Sequence, residues 1–247
     1  MIDIHSHILA GIDDGAKDLE ESVEMGRLAH QDGIRYIFAT PHFTDTMIND
    51  CDTVVRRIGT LQRELDELGI PVRVLPGAEV RLCSYEFVIE YAKRETFSYL
   101  VGSRKFVLVE ERWTDYESDS LRIMEWFLDR EIQPVIAHPE RHAFFRKDPA
   151  LLTALIDAGA WTQVTADSLL GKNNAEAQQF SRWMIERSLV HTLATDAHNV
   201  TRRPNLSDGF RMIETWAGLE QVEAIKERMH QFVPPSLTNE HSPSVTA

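Results

Sequence analysis

Short apolar, β-branched runs recur along the chain at fairly even intervals: IDI near residue 3, then 34–39, 72–75, 106–109, 133–137, 161–165 and 190–195. Such short apolar runs predict buried strands. Between them, apolar positions fall three and four apart, which predicts helices over 19–33, 51–69, 118–130, 148–159 and 175–188. Gly33, Gly69 and Gly159 each close such a stretch just before the next strand, where a left-handed residue commonly ends a helix. Strand–helix alternation repeated seven times without a linker predicts an α/β fold with a parallel sheet. A closed or nearly closed barrel fits this better than two open sheets; an open doubly wound sheet is the alternative. From Val233 the chain turns to Pro, Ser and Thr, so residues 1–232 are the expected domain and 233–247 an expected flexible C-terminal tail.

Composition narrows the function classes. The 247 residues carry a formal charge of −13, which opposes non-specific binding to nucleic acid or anionic lipid. No run approaches the ~18 apolar residues of a membrane span, so no membrane insertion is expected. No basic region precedes an apolar stretch at the N-terminus, so no secretory signal is expected. Two cysteines in a chain of this length suggest a reducing compartment, and the expected location is cytoplasmic.

The polar residues at the strand ends change the picture most. The opening MIDIHSHILAGIDDGA puts His5 and His7 on one face of a strand, with Asp14 in the following loop. The second strand leads to His42 in TPHF, the third to Glu79 in PGAE, and the fourth ends at Glu110. The fifth runs into AHPER with His138, and the seventh into ATDAHN with Asp196 and His198; the sixth offers no obvious ligand. In a parallel α/β barrel all these strand ends share one face. An isolated H-x-H is weak, and a single acid after a strand is more often a helix cap. Nine such residues together, five imidazoles and four carboxylates with no thiolate, suit borderline-to-hard divalent ions such as Mn²⁺, Zn²⁺ or Fe²⁺. One ion needs only three or four of them, so the count favours two or three metals. Of the remaining histidines four read blandly: His30 and His230 fall in helical patterns, His191 begins a strand and His241 lies in the tail; His142 is ambiguous, because it follows Arg141 beside the site.

In order and spacing, DIHSH, GIDDG, TPH, GAE, AHPER and TDAHN resemble the PHP (polymerase and histidinol phosphatase) superfamily. More narrowly, the chain resembles the manganese-dependent protein-tyrosine phosphatases of bacterial capsule and exopolysaccharide loci, the CpsB/CapC/YwqE type. The resemblance spans Met1 to about Pro204. It implies a distorted seven-unit (β/α) TIM-like barrel with three divalent ions, Mn²⁺ foremost and Fe²⁺, Zn²⁺ or Mg²⁺ as substitutes. Carried over by position, it assigns His5, His7, Glu79 and Asp196 to one metal, Glu79, Glu110 and His138 to a second, and Asp14, His42 and His198 to a third. It further implies that Arg141 and Arg203 grip phosphate, and that the partner is a phosphotyrosine protein, the tyrosine-rich tail of a bacterial autokinase. Ala10, the pair Glu111–Arg112 and VTADSLLGKNN depart from the usual pattern without removing a ligand.

The expected reaction is phosphomonoester hydrolysis by metal-activated water, with His142 or Asp167 as candidate general acid. Histidinol phosphate or another small phosphoester is the enzymatic alternative, and an idle metal-binding module the non-enzymatic one. Nuclease activity is disfavoured by the absence of basic or aromatic platforms. Cys51 and Arg57 have the spacing of cysteine-dependent phosphatases, yet DTVVR between them has no glycine and a helical pattern, unlike a loop that cradles phosphate.

Overall fold

The computed structural model describes residues 1–238. Ten strands and ten α-helices are found among them, with one 3-10 turn at Pro139–Arg141. The strands are β1 (Ile2–Ser6), β2 (Tyr36–Ala39), β3 (His42–Phe43), β4 (Arg73–Pro76), β5 (Glu79–Arg81), β6 (Leu100–Val101), β7 (Lys105–Glu110), β8 (Gln133–Ala137), β9 (Trp161–Thr165) and β10 (Thr192–Ala194). The helices are α1 (Leu19–Gln31), α2 (Cys51–Glu67), α3 (Tyr85–Lys93), α4 (Ser120–Leu128), α5 (Ala143–Lys147), α6 (Pro149–Asp157), α7 (Ala166–Leu169), α8 (Ala175–Ile185), α9 (Leu206–His230) and α10 (Pro235–Thr238). Each predicted strand and helix has its counterpart, while the short strands β3, β5 and β6 and the helices α3, α5, α7, α9 and α10 lie outside the predicted set.

The sheet is parallel apart from β6, which pairs antiparallel with β7. One section runs β1-β2-β4 and the other β10-β9-β8-β7-β5-β3. The two meet twice. Within residues 36–43 and 73–81 the chain passes from the first section to the second, with Glu79 N–H bonded to Pro41 O at 3.1 Å. At the other seam, Asp196 N–H donates to His5 O and His7 N–H to Ala197 O, both at 2.8 Å. The result is a ring of seven strand runs in the manner of a distorted (β/α) barrel.

Asp3 secures that second seam. Fully buried, it accepts hydrogen bonds from both the backbone and the hydroxyl of Thr195, and burial raises its pKa to about 6. The β1–β2 register slips between Asp3 and Ser6, a bulge of the kind that re-aims side chains next to active sites.

Helix starts are capped as the sequence suggests. Asp18, Asp50, Ser84 and Asn174 each accept from the backbone N–H three residues on, replacing a donor the helix leaves unpaired. Opposite the strand carboxyl ends the core is aromatic: Phe232, just past α9, is fully buried and stacks on Phe106 with ring centres 3.9 Å apart. Burial of one such ring contributes about 1.5–3 kcal/mol, so this plug stabilises the ring of strands at the end opposite their carboxyl rim. Of the expected tail, Pro235–Thr238 forms the short α10, and 239–247 lies outside the described residues. No helix among the described residues is long and apolar enough to cross a membrane.

Candidate metal centre

All nine expected ligands stand at the carboxyl rim, in four overlapping groups whose candidate donor atoms lie within 4.8 Å of one another. His5, His7, Glu79, Glu110, His138 and Asp196 are almost wholly buried, His42 is partly so, and Asp14 sits at the open edge. His138 and Asp196 adopt left-handed backbone angles, φ 31° and 52°. That conformation costs a non-glycine residue about 1–3 kcal/mol and is tolerated where a site demands it.

Three imidazoles are oriented by partners on their outward nitrogens. His5 Nδ1 faces Gln163 Oε1 at 2.9 Å, His7 Nδ1 faces Asp13 Oδ2 at 2.7 Å, and His198 Nδ1 faces the Asp196 backbone oxygen at 2.9 Å. Each partner only accepts, so each Nδ1 carries the proton and each Nε2 turns its lone pair inward, the arrangement by which neighbouring groups fix a metal-binding histidine. Gln163 lies on β9, the strand that offered no ligand. Asp13 also accepts from the Gly15 and His42 backbones. Neither was singled out from sequence. Asp13 stands beside the acid that was, and only the folded loop separates their tasks.

The inward atoms suit divalent ions. His5 Nε2 and His7 Nε2 are 3.2 Å apart; His5 Nε2 is 3.3 Å from both Glu79 and Asp196, and His7 Nε2 is 3.4 Å from both. Donors about 2.0–2.1 Å from a tetrahedral ion stand about 3.3–3.4 Å from each other. His42 Nε2 and His198 Nε2 lie 3.3 and 3.5 Å from Asp14 Oδ1. His138 Nε2 lies 2.9 Å from Glu79 Oε1 and 3.8 Å from Glu110 Oε1. Glu79 meets four of the five imidazoles, His5, His7, His42 and His138. Its Oε2 approaches His42 Nδ1 to 2.8 Å without hydrogen-bond alignment, so both buried atoms lack a partner. Buried polar atoms rarely go unpaired, and a cation held by Glu79 would satisfy its Oε2.

The electrostatics agree. Burial alone lowers a histidine pKa, yet Glu79 and Asp196 raise His5, Asp13 raises His7 well above the usual value, and Asp14 and Glu79 lift His42 to about 10. The cluster calls for positive charge. Glu110 is pushed up to about 7 by burial and by the charge of Glu79, while burial and nearby Arg141 bring His138 down to about 4.

Above these groups opens a cavity of about 380 Å³ whose lining includes Arg81, Arg141, Arg202 and Trp113. Arg141 Nη1 donates to Asp196 Oδ2 at 2.6 Å, and Arg202 reaches the same oxygen. The expected second arginine, Arg203, is exposed and does not line the cavity. A tight turn decides between the neighbours: Asn199 Oδ1 accepts from the Thr201 and Arg202 backbones, and His198 N–H donates to Arg202 O, which brings Arg202 over the site and sends Arg203 outward. Arg81 holds Glu110 Oε2 through two nitrogens at 2.8 and 2.6 Å. The signal for it was its place two residues after Glu79 on one strand face.

Neither candidate general acid lines the cavity. Asp167 is engaged by Lys172 and Asn205. His142 is buried with neither ring nitrogen partnered. Cys51 begins α2, so the residues between it and Arg57 are helical rather than a phosphate-cradling loop.

Among known proteins, the family model described as "Capsular polysaccharide synthesis, CpsB/CapC" matches residues 1–231. The chain belongs to the CpsB/CapC family. Its CpsB/CapC relatives include the tyrosine-protein phosphatase YwqE of Bacillus subtilis, 37% identical over 89% of this chain and 86% of that protein. The putative tyrosine-protein phosphatase CapC of Staphylococcus aureus is 34% identical over 83% of this chain and 79% of that one. A solved structure of the family, from work on YwqE of Bacillus subtilis and CpsB of Streptococcus pneumoniae as "unique metal-dependent tyrosine phosphatases", superposes with a TM-score of 0.87. It is 34% identical and covers 94% of this chain and 96% of that one. A histidinol phosphate phosphatase from Lactococcus lactis shares the fold, with a TM-score of 0.58 at 14% identity over 87% of this chain and 93% of that one.

Proposed function

We propose that this CpsB/CapC protein is a metal-dependent protein-tyrosine phosphatase. The observation that carries the reading is the set of inward Nε2 atoms and carboxylate oxygens spaced as around ions, at the floor of a cavity that two guanidiniums overlook. We assign His5, His7, Glu79 and Asp196 to one ion, Glu79, Glu110 and His138 to a second, and Asp14, His42 and His198 to a third, with Mn²⁺ as the natural occupant. Such ions polarise phosphate oxygens and acidify water, supplying a nucleophile at neutral pH.

The chain's own residues do the rest. Glu79 joins the subsites, Asp13 and Gln163 hold His7 and His5 in the ligating tautomer, and buried Glu110 keeps its place through Arg81. Arg141 and Arg202, which reach Asp196 beside the cavity, would turn forked donors to a bound phosphate and neutralise charge as the ester bond breaks. A phenolate leaves with little help, in keeping with a cavity lined by neither His142 nor Asp167. The substrate we assign is the tyrosine-rich tail of a bacterial autokinase governing capsule or exopolysaccharide synthesis, in the cytoplasm, with residues 1–232 as one catalytic domain. Family membership and the two free cysteines support this.

The test is chelation. Metal-stripped protein should lose phosphotyrosine-peptide hydrolysis and regain it with Mn²⁺, while alkylation of Cys51 and Cys83 leaves the rate unchanged. Full activity after verified metal removal, or an inert manganese-loaded protein, overturns the proposal.

A further inference from the structure

Phosphate chemistry accounts for the floor of the cavity but not for its apolar wall. Nine large hydrophobic residues are exposed among the described residues, and four of them, Met47, Ile48, Trp113 and Val200, lie in loops that follow β3, β7 and β10 at the rim of the site. Two of these, Trp113 and Met47, line the cavity itself. Trp113 stays 44% exposed, although so large a ring is ordinarily covered unless it meets a partner.

The indole is fixed in place. It stacks on His142 with ring centres 4.7 Å apart at 28°, and His142 stacks on Phe144 at 5.1 Å and 29°. With both nitrogens unpartnered, His142 serves in this pile as a flat spacer. The Arg141 guanidinium carbon lies 4.9 Å from the indole centre, and the same side chain reaches Asp196 at the site. A phosphate held by Arg141 therefore has the indole within one guanidinium's span, at the level of the first atoms beyond the ester oxygen. In an aryl phosphate those atoms are a flat ring; in an alkyl phosphate they are a narrow tetrahedral chain with no face to stack. A platform held before binding also spares the cost of ordering it.

We infer that Trp113, with Met47 beside it, is the wall that receives the phenyl ring of the substrate and sets the preference for phosphotyrosine over phosphoserine. This rests on the reading of the site as a tyrosine phosphatase.

The experiment uses the full chain loaded with Mn²⁺ and compares phenylphosphonate, methylphosphonate and inorganic phosphate as competitive inhibitors of phosphotyrosine-peptide hydrolysis. Wild-type protein should bind phenylphosphonate more tightly than methylphosphonate. Trp113→Ala should shrink that ratio about three- to tenfold, the range of one lost aromatic pair, with inorganic phosphate unaffected. Trp113→Phe should restore most of the ratio, and Met47→Ala should lower it by a smaller factor. An unchanged ratio in a Trp113→Ala protein of wild-type metal content, or equal weakening of all three inhibitors, overturns the inference while leaving the phosphatase reading intact. If Trp113→Ala does not fold, an unchanged ratio in Met47→Ala together with Trp113→Leu overturns it equally. A wild-type protein inert toward the peptide defeats the phosphatase reading and this inference with it.

Discussion

Gly15 admits no side chain, and that makes it a sharp probe of the centre. A Cβ there would lie 2.0 Å from the His7 carbonyl oxygen and 2.5 Å from His7 Cβ, where ordinary contact begins at 3.4 Å. The obstacle is backbone, so Gly15→Ala must push the loop away by about 1 Å or more. That retreat strains the Ala16 N–H bond to His7 O (3.1 Å), the Gly15 N–H bond to Asp13 (3.0 Å) and, through Asp13, the 2.7 Å contact that orients His7. Two or three hydrogen bonds at about 1 kcal/mol each cost about 2–3 kcal/mol, or about 5–10 °C in Tm for a chain of this size. Loss of the orienting contact should weaken metal affinity about 10–100-fold. Titration of Mn²⁺ into stripped protein, followed by melting temperature and bound metal, measures both effects. Gly59→Ala is the control: its Cβ meets nothing within 4 Å, and it sits inside α2, so it should stabilise by up to about 1 kcal/mol. If Gly15→Ala binds Mn²⁺ and melts like the wild type, Asp13 does not position His7 and the account of the loop is wrong.

Two further outcomes follow from the same geometry and from the far end of the barrel. Arg141→Ala and Arg202→Ala should each lower kcat on a phosphotyrosine peptide by about a hundredfold with metal content unchanged, whereas Arg203→Ala should stay within about twofold of wild type. Steady-state kinetics with metal analysis checks this, and the reverse order for Arg202 and Arg203 would show that the turn after His198 has been misread. His191, whose Nδ1 accepts from Thr162 N–H, is brought down to about 4 by burial and by Arg228. The folded state thus resists protonation, and its stability is lost as pH falls from the ordinary 6.5 toward 4. The loss should reach about 2 kcal/mol between pH 7.5 and 5. Urea midpoints of His191→Gln should fall less steeply over that interval; identical pH profiles would refute the assignment.

The strands and the candidate ligands were legible because one rule governs both. A parallel strand buried on both faces reads as an apolar run, and the polar residues just past its end stand at the only rim the fold leaves for chemistry. What escaped depends on turns and on distant partners. Nothing local distinguishes Arg202 from Arg203; the side chain of Asn199 decides. Gln163 reads as a polar interruption of β9 until His5 arrives from 158 residues away. Trp113 follows Glu110 in a stretch marked only as a departure from the family pattern, and its stack on His142 and Phe144 exists only once the loops after β7 and β8 meet. Helix α9 escaped for a different reason: Gly218, at φ 82°, breaks it midway and interrupts its apolar periodicity.

The clasp between Asp3 and Thr195, 192 residues apart, sets an order of events during synthesis. His5 and His7 are synthesised long before the strand that completes their surroundings, so they wait unseated until β10 has been made. Closing so long a loop is slow and comes late, so a chain halted before residue 198 carries acids and imidazoles but no workshop to use them in. The candidate ligand set is therefore gathered only when the last of the seven strand runs joins the ring.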